Sequence, residues 1–273
     1  MADAGEKLVS LARADAGDRE TTVYVKGFLG RNETADDFAR WRASHRRLGE
    51  SHAWGPRASG YTWPAGSLLR LGRIPVPLAV VSRVSWEVYR RTRHLSRIPL
   101  PVFATRAVVE ELTLLAGRLV FQYIVASRRA VERAERLAAR LRRLRRRYDR
   151  LRVVGHSLGC RHLVEAVALL DDEQRPDEIH LCAPAFRERD LADRLGALAR
   201  ESTYVYYCER DLVLTTSFRA MALGSALGAG PPQHEYERLH AIDASEAFEW
   251  WVHHHYSSRF HELAVDGRGL ATR

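Results

Sequence analysis

The sequence predicts an α/β protein with a mostly parallel sheet and helices on both of its faces. Three observations support this prediction. Short apolar strands alternate with amphipathic helices after residue 150, which is typical of a parallel sheet. The 273 residues, 46% of them hydrophobic, suit a single large domain with a sizeable core. A serine between glycines stands at one strand-to-helix junction, and active residues of such folds lie at strand ends.

The first half of the chain is predicted to hold one strand and several helices. Thr21–Phe28 is β-branched and aromatic and forms the strand, and a helix follows over Asp36–Leu48. Glycines and prolines in Ser51–Pro77 favour a loop that carries at most short elements. Apolar residues then recur every three or four positions, which predicts helices over Leu78–Leu95, Val102–Ser127 and Arg128–Tyr148. We expect residues 78–148 to be a helical insertion in the domain, forming a cap or a membrane contact.

Strands and helices alternate in the second half. The predicted strands are Leu151–Val154, Glu178–Cys182 and Thr203–Cys208. The predicted helices are Leu158–Leu170, Ala185–Arg200 and Leu212–Leu223. Because parallel strands place their carboxyl ends at one edge of the sheet, we expect the chemistry-bearing residues at that edge.

A nucleophile is predicted between the strand Leu151–Val154 and the helix after it. The turn reads Gly155-His156-Ser157-Leu158-Gly159, the G-x-S-x-G pattern of a nucleophile elbow. In such an elbow the serine occupies a strained turn, so that the residues two positions away must be glycine. The alternative is an ordinary glycine-rich turn. The position at a strand-to-helix junction favours Ser157 as the nucleophile.

An acidic residue and a histidine are expected after the serine, in that order. Asp211 follows the strand Thr203–Cys208 and directly precedes a helical pattern, with Glu209 as the second candidate. Asp211 also suits the N-cap of that helix, which is the alternative interpretation.

The candidate bases are three consecutive histidines, His253, His254 and His255. Histidine exchanges protons with a serine near neutral pH, and consecutive side chains diverge, so one of the three acts alone. The same divergence argues against a metal site. The alternative is that all three are solvated or packed on a terminal helix. His234 and His240 are weaker candidates, because they precede the last expected strand.

An oxyanion site requires two amides. Leu158 supplies the one directly after the serine, and the second is expected from the loop after an early strand. That loop reads Lys26-Gly27-Phe28-Leu29, which makes Phe28 the candidate. The alternative is that Gly27 simply ends the strand.

Several segments in order resemble the α/β-hydrolase superfamily, and specifically the transmembrane-and-coiled-coil-domain type of serine hydrolase with its uncharacterised bacterial relatives. The similar segments are Val23–Leu29, Trp41, Gly155–Gly159, Leu181–Pro184, Asp211–Leu214 and the H-x-x-Y of His253–Tyr256. The resemblance implies lipase- or esterase-like machinery, and its H-x-x-Y favours His253 as the base. Lys26 and the arginine-rich helix depart from the family's pattern.

The net charge of +9 is concentrated in one segment. Arg128 to Arg152 contains twelve arginines and three acidic residues, which accounts for the whole excess. Beneath these arginines runs an apolar seam of Ala134, Leu137, Leu141, Leu144, Tyr148 and Leu151. A basic amphipathic helix suits a peripheral contact with an anionic membrane, and the alternative is a solvated arginine face. We expect no nucleic-acid binding, because no nucleic-acid-binding motif is present.

The sequence thus predicts a cytoplasmic serine hydrolase that cleaves carboxylic esters, with a small-molecule or lipid ester as substrate. The basic helix adds the option of a peripheral membrane location. The widely spaced Cys160, Cys182 and Cys208 are interpreted as buried thiols of a reducing compartment, and the N-terminus has no signal-peptide pattern. No cofactor or metal is expected. The alternatives are a thioesterase or amidase, and a non-catalytic module that binds a membrane or a protein partner.

Overall fold

The computed structural model describes residues 6–13, 17–28, 38–51, 54–65, 120–222, 224–248 and 252–264. The predicted helix Leu78–Leu95 lies outside these ranges, as does most of Val102–Ser127. The proposal of a cap or membrane contact in that part of the chain therefore stays a prediction.

The described residues form a seven-stranded sheet in the order β1-β3-β2-β4-β5-β6-β7. The strands are β1 (Lys7–Ala12), β2 (Glu20–Val25), β3 (Ala58–Thr62), β4 (Arg150–His156), β5 (Glu178–Cys182), β6 (Ser202–Tyr207) and β7 (Leu239–Asp243). Every pair is parallel except β1 with β3. The mostly parallel sheet predicted from the sequence is confirmed.

Helices cover both faces of this sheet. They are α1 (Ala39–Ser51), α2 (residues 120–132), α3 (Ala134–Arg147), α4 (Leu158–Val167), α5 (Ala192–Leu195), α6 (Arg219–Ala222) and α7 (Tyr256–Leu263). Neighbouring residues of β3 show the two faces, because successive side chains of a strand point in opposite directions. Gly60 lies against Phe38 before α1, whereas Tyr61 stacks on His162 of α4. Helix α1 packs with α7, and α3 packs with α4.

The pairing register brings several strand ends to one edge. Val25 of β2 lies beside Gly155 of β4, and His156 of β4 lies beside Cys182 of β5. Cys182 in turn lies beside Tyr206 of β6. The loops that follow β2, β4, β5 and β6 therefore meet at this carboxyl edge, as expected for an α/β sheet.

Three strands, β1, β3 and β7, were not located from the sequence. The region Ser51–Pro77 was predicted to be a loop with at most short elements, and the five-residue β3, which β1 and β2 flank, lies in it. Gly60 weakens the strand pattern there, and it is required because a Cβ atom would lie 2.6 Å from the Phe38 ring. β1 provides the antiparallel edge beside β3.

The predicted helix Ala185–Arg200 is also wrong in most of its length. Only a 3₁₀ turn at Glu188–Asp190 and the short α5 are helical there. The Glu188 carboxylate accepts hydrogen bonds from the backbone of Gln233 and His234 and from the Tyr236 hydroxyl. These contacts with a distant loop satisfy a buried carboxylate and hold the segment in an irregular path. The spacing of apolar residues within Ala185–Arg200 cannot indicate these contacts, because their partners lie in another part of the sequence.

The arginine-rich segment forms helices α2 and α3, which a turn at Arg133 separates. Its predicted apolar seam is confirmed: Ala134, Leu137, Leu141 and Tyr148 are buried. Helix α3 thus covers the sheet as part of the core. Several arginines of the segment Arg128 to Arg152 form ion pairs. Arg133 pairs with Glu6, Arg145 with Asp177, and Arg150 and Arg152 with Glu178, all outside the segment, whereas Arg142 pairs with Glu135 within α3.

Candidate active site

Ser157 occupies a strained turn between β4 and α4. Its backbone has φ 53° and ψ −125°, a region that a residue with a Cβ atom rarely adopts. The Ser157 amide donates to the Cys182 carbonyl at 2.9 Å, and the Ser157 carbonyl accepts from the Ala185 amide at 3.2 Å. The end of β5 therefore holds the turn in place. This is the strand–turn–helix geometry of a nucleophile elbow, and with the sheet topology it gives the chain an α/β-hydrolase fold.

The glycines around Ser157 lie at close backbone approaches. A Cβ atom at Gly159 would lie 2.8 Å from the Val25 carbonyl oxygen and closer still to that of Lys26. The packing of α4 against the end of β2 therefore requires glycine at position 159. At Gly155 a Cβ atom would lie 3.1 Å from the Cα atom of Cys160, which is a tight contact within the elbow itself.

Ser157, His253 and Asp211 form a continuous chain of hydrogen bonds. His253 Nε2 lies 3.0 Å from the Ser157 Oγ, and His253 Nδ1 lies 2.8 Å from the Asp211 Oδ2. An ionised carboxylate only accepts hydrogen bonds, so Nδ1 carries the proton. Nε2 is then unprotonated where it faces the serine hydroxyl, and it can accept the hydroxyl proton.

Asp211 makes the contacts that both interpretations of it predict. Its Oδ1 accepts from the backbone amides of Val213 and Leu214 at 3.0 and 3.2 Å, which caps the helical segment after it. Its other oxygen receives His253. Asp211 is fully buried, whereas Glu209, the second candidate, is exposed. The helix cap fixes the carboxylate in the orientation that the histidine needs.

The structure distinguishes among the candidate histidines. His253 is 7% exposed and its ring faces Ser157, while the neighbouring His254 is exposed. His255 instead contacts Phe248, with ring centroids 6.3 Å apart. His234 pairs with Glu188, at 3.0 Å. His240 lies within β7 and stacks on Tyr204, so its predicted position before the last strand was wrong.

The loop after β2 approaches the elbow closely. A Cβ atom at Gly27 would lie 3.2 Å from the Ser157 Cβ and 2.9 Å from the His156 carbonyl oxygen. The next residue, Phe28, packs edge-to-face on Tyr123, with ring centroids 5.9 Å apart. Leu158 is the first residue of α4, whose N-terminal amides favour negative charge. The two segments that the sequence indicated therefore lie beside Ser157, the loop after β2 through Gly27 and α4 through Leu158, the residue that follows the serine.

His156 was not recognised as a site residue from the sequence. Its Nε2 lies 2.8 Å from the carbonyl oxygen of His253, and the two rings are 5.0 Å apart. Burial and the neighbouring His253 lower the pKa of His156 to about 3, so the ring is neutral at neutral pH. Its place in the motif, between Gly155 and Ser157, was the only available signal.

Within the described ranges, no three His, Cys, Asp or Glu side chains are grouped so that they could hold a metal ion. The three cysteines are buried free thiols. Across the same residues, no helix combines the length and apolar character needed to cross a bilayer.

Neither a protein-family model nor a curated protein matches the chain. Solved structures with similar folds include an uncharacterised protein from Capnocytophaga ochracea, with 10% identity and a TM-score of 0.42 over 98% of this chain. The chain spans 63% of that protein's length. Thermogutta terrifontis esterase 2 has 14% identity and a TM-score of 0.32, over 94% of this chain and 82% of its own. YbtT, a type II thioesterase of the yersiniabactin NRPS/PKS pathway, has 11% identity and a TM-score of 0.33, over 93% and 94%.

Proposed function

We propose that this protein is a serine hydrolase that cleaves carboxylic esters through an acyl-enzyme. The observation that carries the proposal is the hydrogen-bonded chain from Asp211 through His253 to Ser157, at an elbow with a positive φ angle. A nucleophile, a base and an orienting acid in this arrangement suit acyl transfer. We include in this proposal that the protein is a serine hydrolase of the transmembrane-and-coiled-coil-domain type, which its sequence resembles.

In the proposed reaction, the Ser157 Oγ attacks the ester carbonyl carbon while its proton moves to the His253 Nε2. The carbonyl oxygen becomes negative, and the amides of Phe28 and Leu158 donate hydrogen bonds to it. When the ester bond breaks, the imidazolium returns its proton to the departing alcohol oxygen. Asp211 holds the ring in the required tautomer and stabilises its positive charge.

Water completes the proposed cycle. His253 removes a proton from the water as it attacks the acyl-enzyme carbonyl, and then returns that proton to the Ser157 Oγ as the acid product leaves. Ser157 and His253 are only 5% and 7% exposed, so their interactions are screened little by bulk water. The same three residues would also cleave thioesters or amides, so the preference for esters has to be measured separately from hydrolase activity.

Labelling with a fluorophosphonate probe tests the proposal, because the probe modifies only an activated serine. We expect the folded wild-type protein to be labelled stoichiometrically on Ser157 and the variant Ser157→Ala to remain unlabelled. Hydrolysis of short-chain nitrophenyl esters, thioesters and anilides then ranks the substrate classes. A folded wild-type protein that resists labelling would favour the non-catalytic binding module instead.

We also propose that the protein contacts anionic membranes from the cytoplasmic side through α3. At about 100° per residue, Arg136, Arg140, Arg143 and Arg147 share one face of this helix and span about 16 Å. Arg136, Arg143 and Arg147 are exposed. Arg136 lies 3.9 Å from Glu6, and among the described residues no ion pair neutralises the other three. A lipid ester substrate would make such a contact useful.

Liposome flotation tests this contact. Each arginine near acidic lipid contributes about 1 kcal/mol, so replacing Arg140, Arg143 and Arg147 by glutamine should weaken binding to phosphatidylserine vesicles by about two orders of magnitude. The matched control replaces the exposed Arg42, Arg46 and Arg189, which changes the net charge equally. Binding should fall with salt. Equal binding to neutral and anionic vesicles, or equal loss in both triple variants, would refute the contact.

A further inference from the structure

We infer that His156 is a positioning residue, which holds the loop carrying the base through a hydrogen bond to the backbone of His253. The inference rests on the proposed function, because it assigns His156 a role in the reaction at Ser157. Among the described residues, the Ser157 Oγ is hydrogen-bonded to His253 and not to His156. The His156 side chain instead bonds to the main chain of His253.

The geometry defines the direction of this hydrogen bond. The His156 Nε2 lies 2.8 Å from the His253 carbonyl oxygen, which can only accept. Nε2 is therefore the protonated nitrogen of His156, and Nδ1 is unprotonated. Gly27 lies directly beside Nδ1, where a Cβ atom would be 2.9 Å away. The loop after β2 thus leaves room for the ring only because residue 27 is glycine.

This hydrogen bond joins the main chain of the base to the residue directly before the nucleophile. His156 and Ser157 are adjacent, so the end of β4 fixes the serine and, through the neighbouring side chain, the main chain of His253. Packing holds the His156 ring in turn, with Trp41 at 6.1 Å and Tyr256 at 6.3 Å between ring centroids. Both rings come from elements remote in sequence, α1 and α7.

The charge state of His156 suits this role. The titratable groups that face it are His253, His254 and Asp211, and burial together with His253 disfavours a second proton on the ring. A neutral ring donates the hydrogen bond without placing a positive charge beside His253. A charged ring 5.0 Å away would oppose formation of the imidazolium that the reaction requires.

Three substitutions of His156 separate hydrogen bonding from packing. The amide of His156→Gln reaches about as far as the Nε2 and can still donate, whereas that of His156→Asn is too short. His156→Leu fills the space without a donor. We expect the fluorophosphonate labelling rate to stay within about threefold of wild type in the Gln variant, and to fall about 10- to 100-fold in the Asn and Leu variants. His240→Leu, which removes a histidine of β7 from its stack on Tyr204, should label at the wild-type rate.

A spectroscopic measurement keeps the test independent of turnover. The proton on His253 Nδ1, bonded to Asp211, is expected to give a far-downfield NMR resonance that is sharp in wild type and His156→Gln and broadened in His156→Asn. Equal rates and equal spectra in all three variants, or a Leu variant that matches Gln, would overturn the inference. If wild type is not labelled but the resonance follows the pattern above, the hydrolase proposal fails while the positioning role stands.

Discussion

Replacement of His253 by glutamine is expected to lower the rate of Ser157 acylation by about 10⁴-fold or more, because the serine hydroxyl loses its proton acceptor. Glutamine keeps the polarity and most of the volume of the side chain, so the fold should be retained. The measurement is the second-order rate of fluorophosphonate labelling, with thermal unfolding recorded on the same samples. His253 was one of three adjacent candidates in the sequence, and its hydrogen bonds to both Ser157 and Asp211 distinguish it.

The neighbours of His253 provide the matched controls. His254→Gln and His255→Gln remove the same functional group one and two positions away, and His254 is exposed. We expect both variants to label within about threefold of wild type, since neither ring bonds to the reacting serine. A large loss of rate in His254→Gln together with a normal rate in His253→Gln would show that His254 is the base and that the assignment of His253 is wrong.

Replacement of Glu178 by leucine is expected to destabilise the fold by about 3–5 kcal/mol, because it removes the buried carboxylate that Arg150 and Arg152 share and leaves the buried Arg152 with one partner in place of two. Glu178 is fully buried and lies 2.5 Å from Arg150 and 2.7 Å from Arg152. Arg152 is itself 1% exposed, and its second partner is Glu20 at 2.8 Å. Urea unfolding measures the loss. The double variant Glu178→Leu/Arg152→Met should be more stable than Glu178→Leu alone.

A surface ion pair serves as the comparison for this buried cluster. Asp149 and Arg19 are 60% and 74% exposed in their side chains, so Asp149→Asn should cost less than about 1 kcal/mol. Burial raises the pKa of Glu178, but His180, whose Nε2 lies 3.8 Å from the carboxylate, and the charges of Arg152 and Arg150 outweigh it, so the pKa lies below its usual value. This stabilisation is present above the ordinary glutamate range and is lost as the pH falls towards the lowered pKa. Equal losses for Asp149→Asn and Glu178→Leu would contradict the role assigned to the cluster.

Much of the elbow was predictable because its sequence signature is short. Glycines stand two positions before and two positions after Ser157, and a strand of Val and Leu leads directly into an amphipathic helix. Asp211 was identified for a similar reason, since it stands between a β-branched strand and a helical pattern. The apolar seam of α3 follows from the 3.6-residue period and needs no knowledge of distant contacts.

The remaining features depend on contacts between residues far apart in sequence. Gly60 of β3 is explained by its close contact with the Phe38 ring. The irregular path after β5 is held by contacts between Glu188 and the loop at residues 233–236. The net charge of Arg128 to Arg152 overstated the free charge of that segment, because Arg133, Arg145 and Arg152 pair with carboxylates outside it. The link from His156 to His253 spans 97 residues and has no sequence signal of its own.

The most direct test of the proposed mechanism is to identify the residue that becomes acylated. The wild-type protein is mixed with a short-chain nitrophenyl ester, quenched in acid within the burst phase, digested and analysed by peptide mass spectrometry. The proposed mechanism predicts a single acyl group on Ser157, which is absent from Ser157→Ala and strongly reduced in His253→Gln. Acylation of another residue, or ester turnover that persists unchanged in Ser157→Ala, would contradict it.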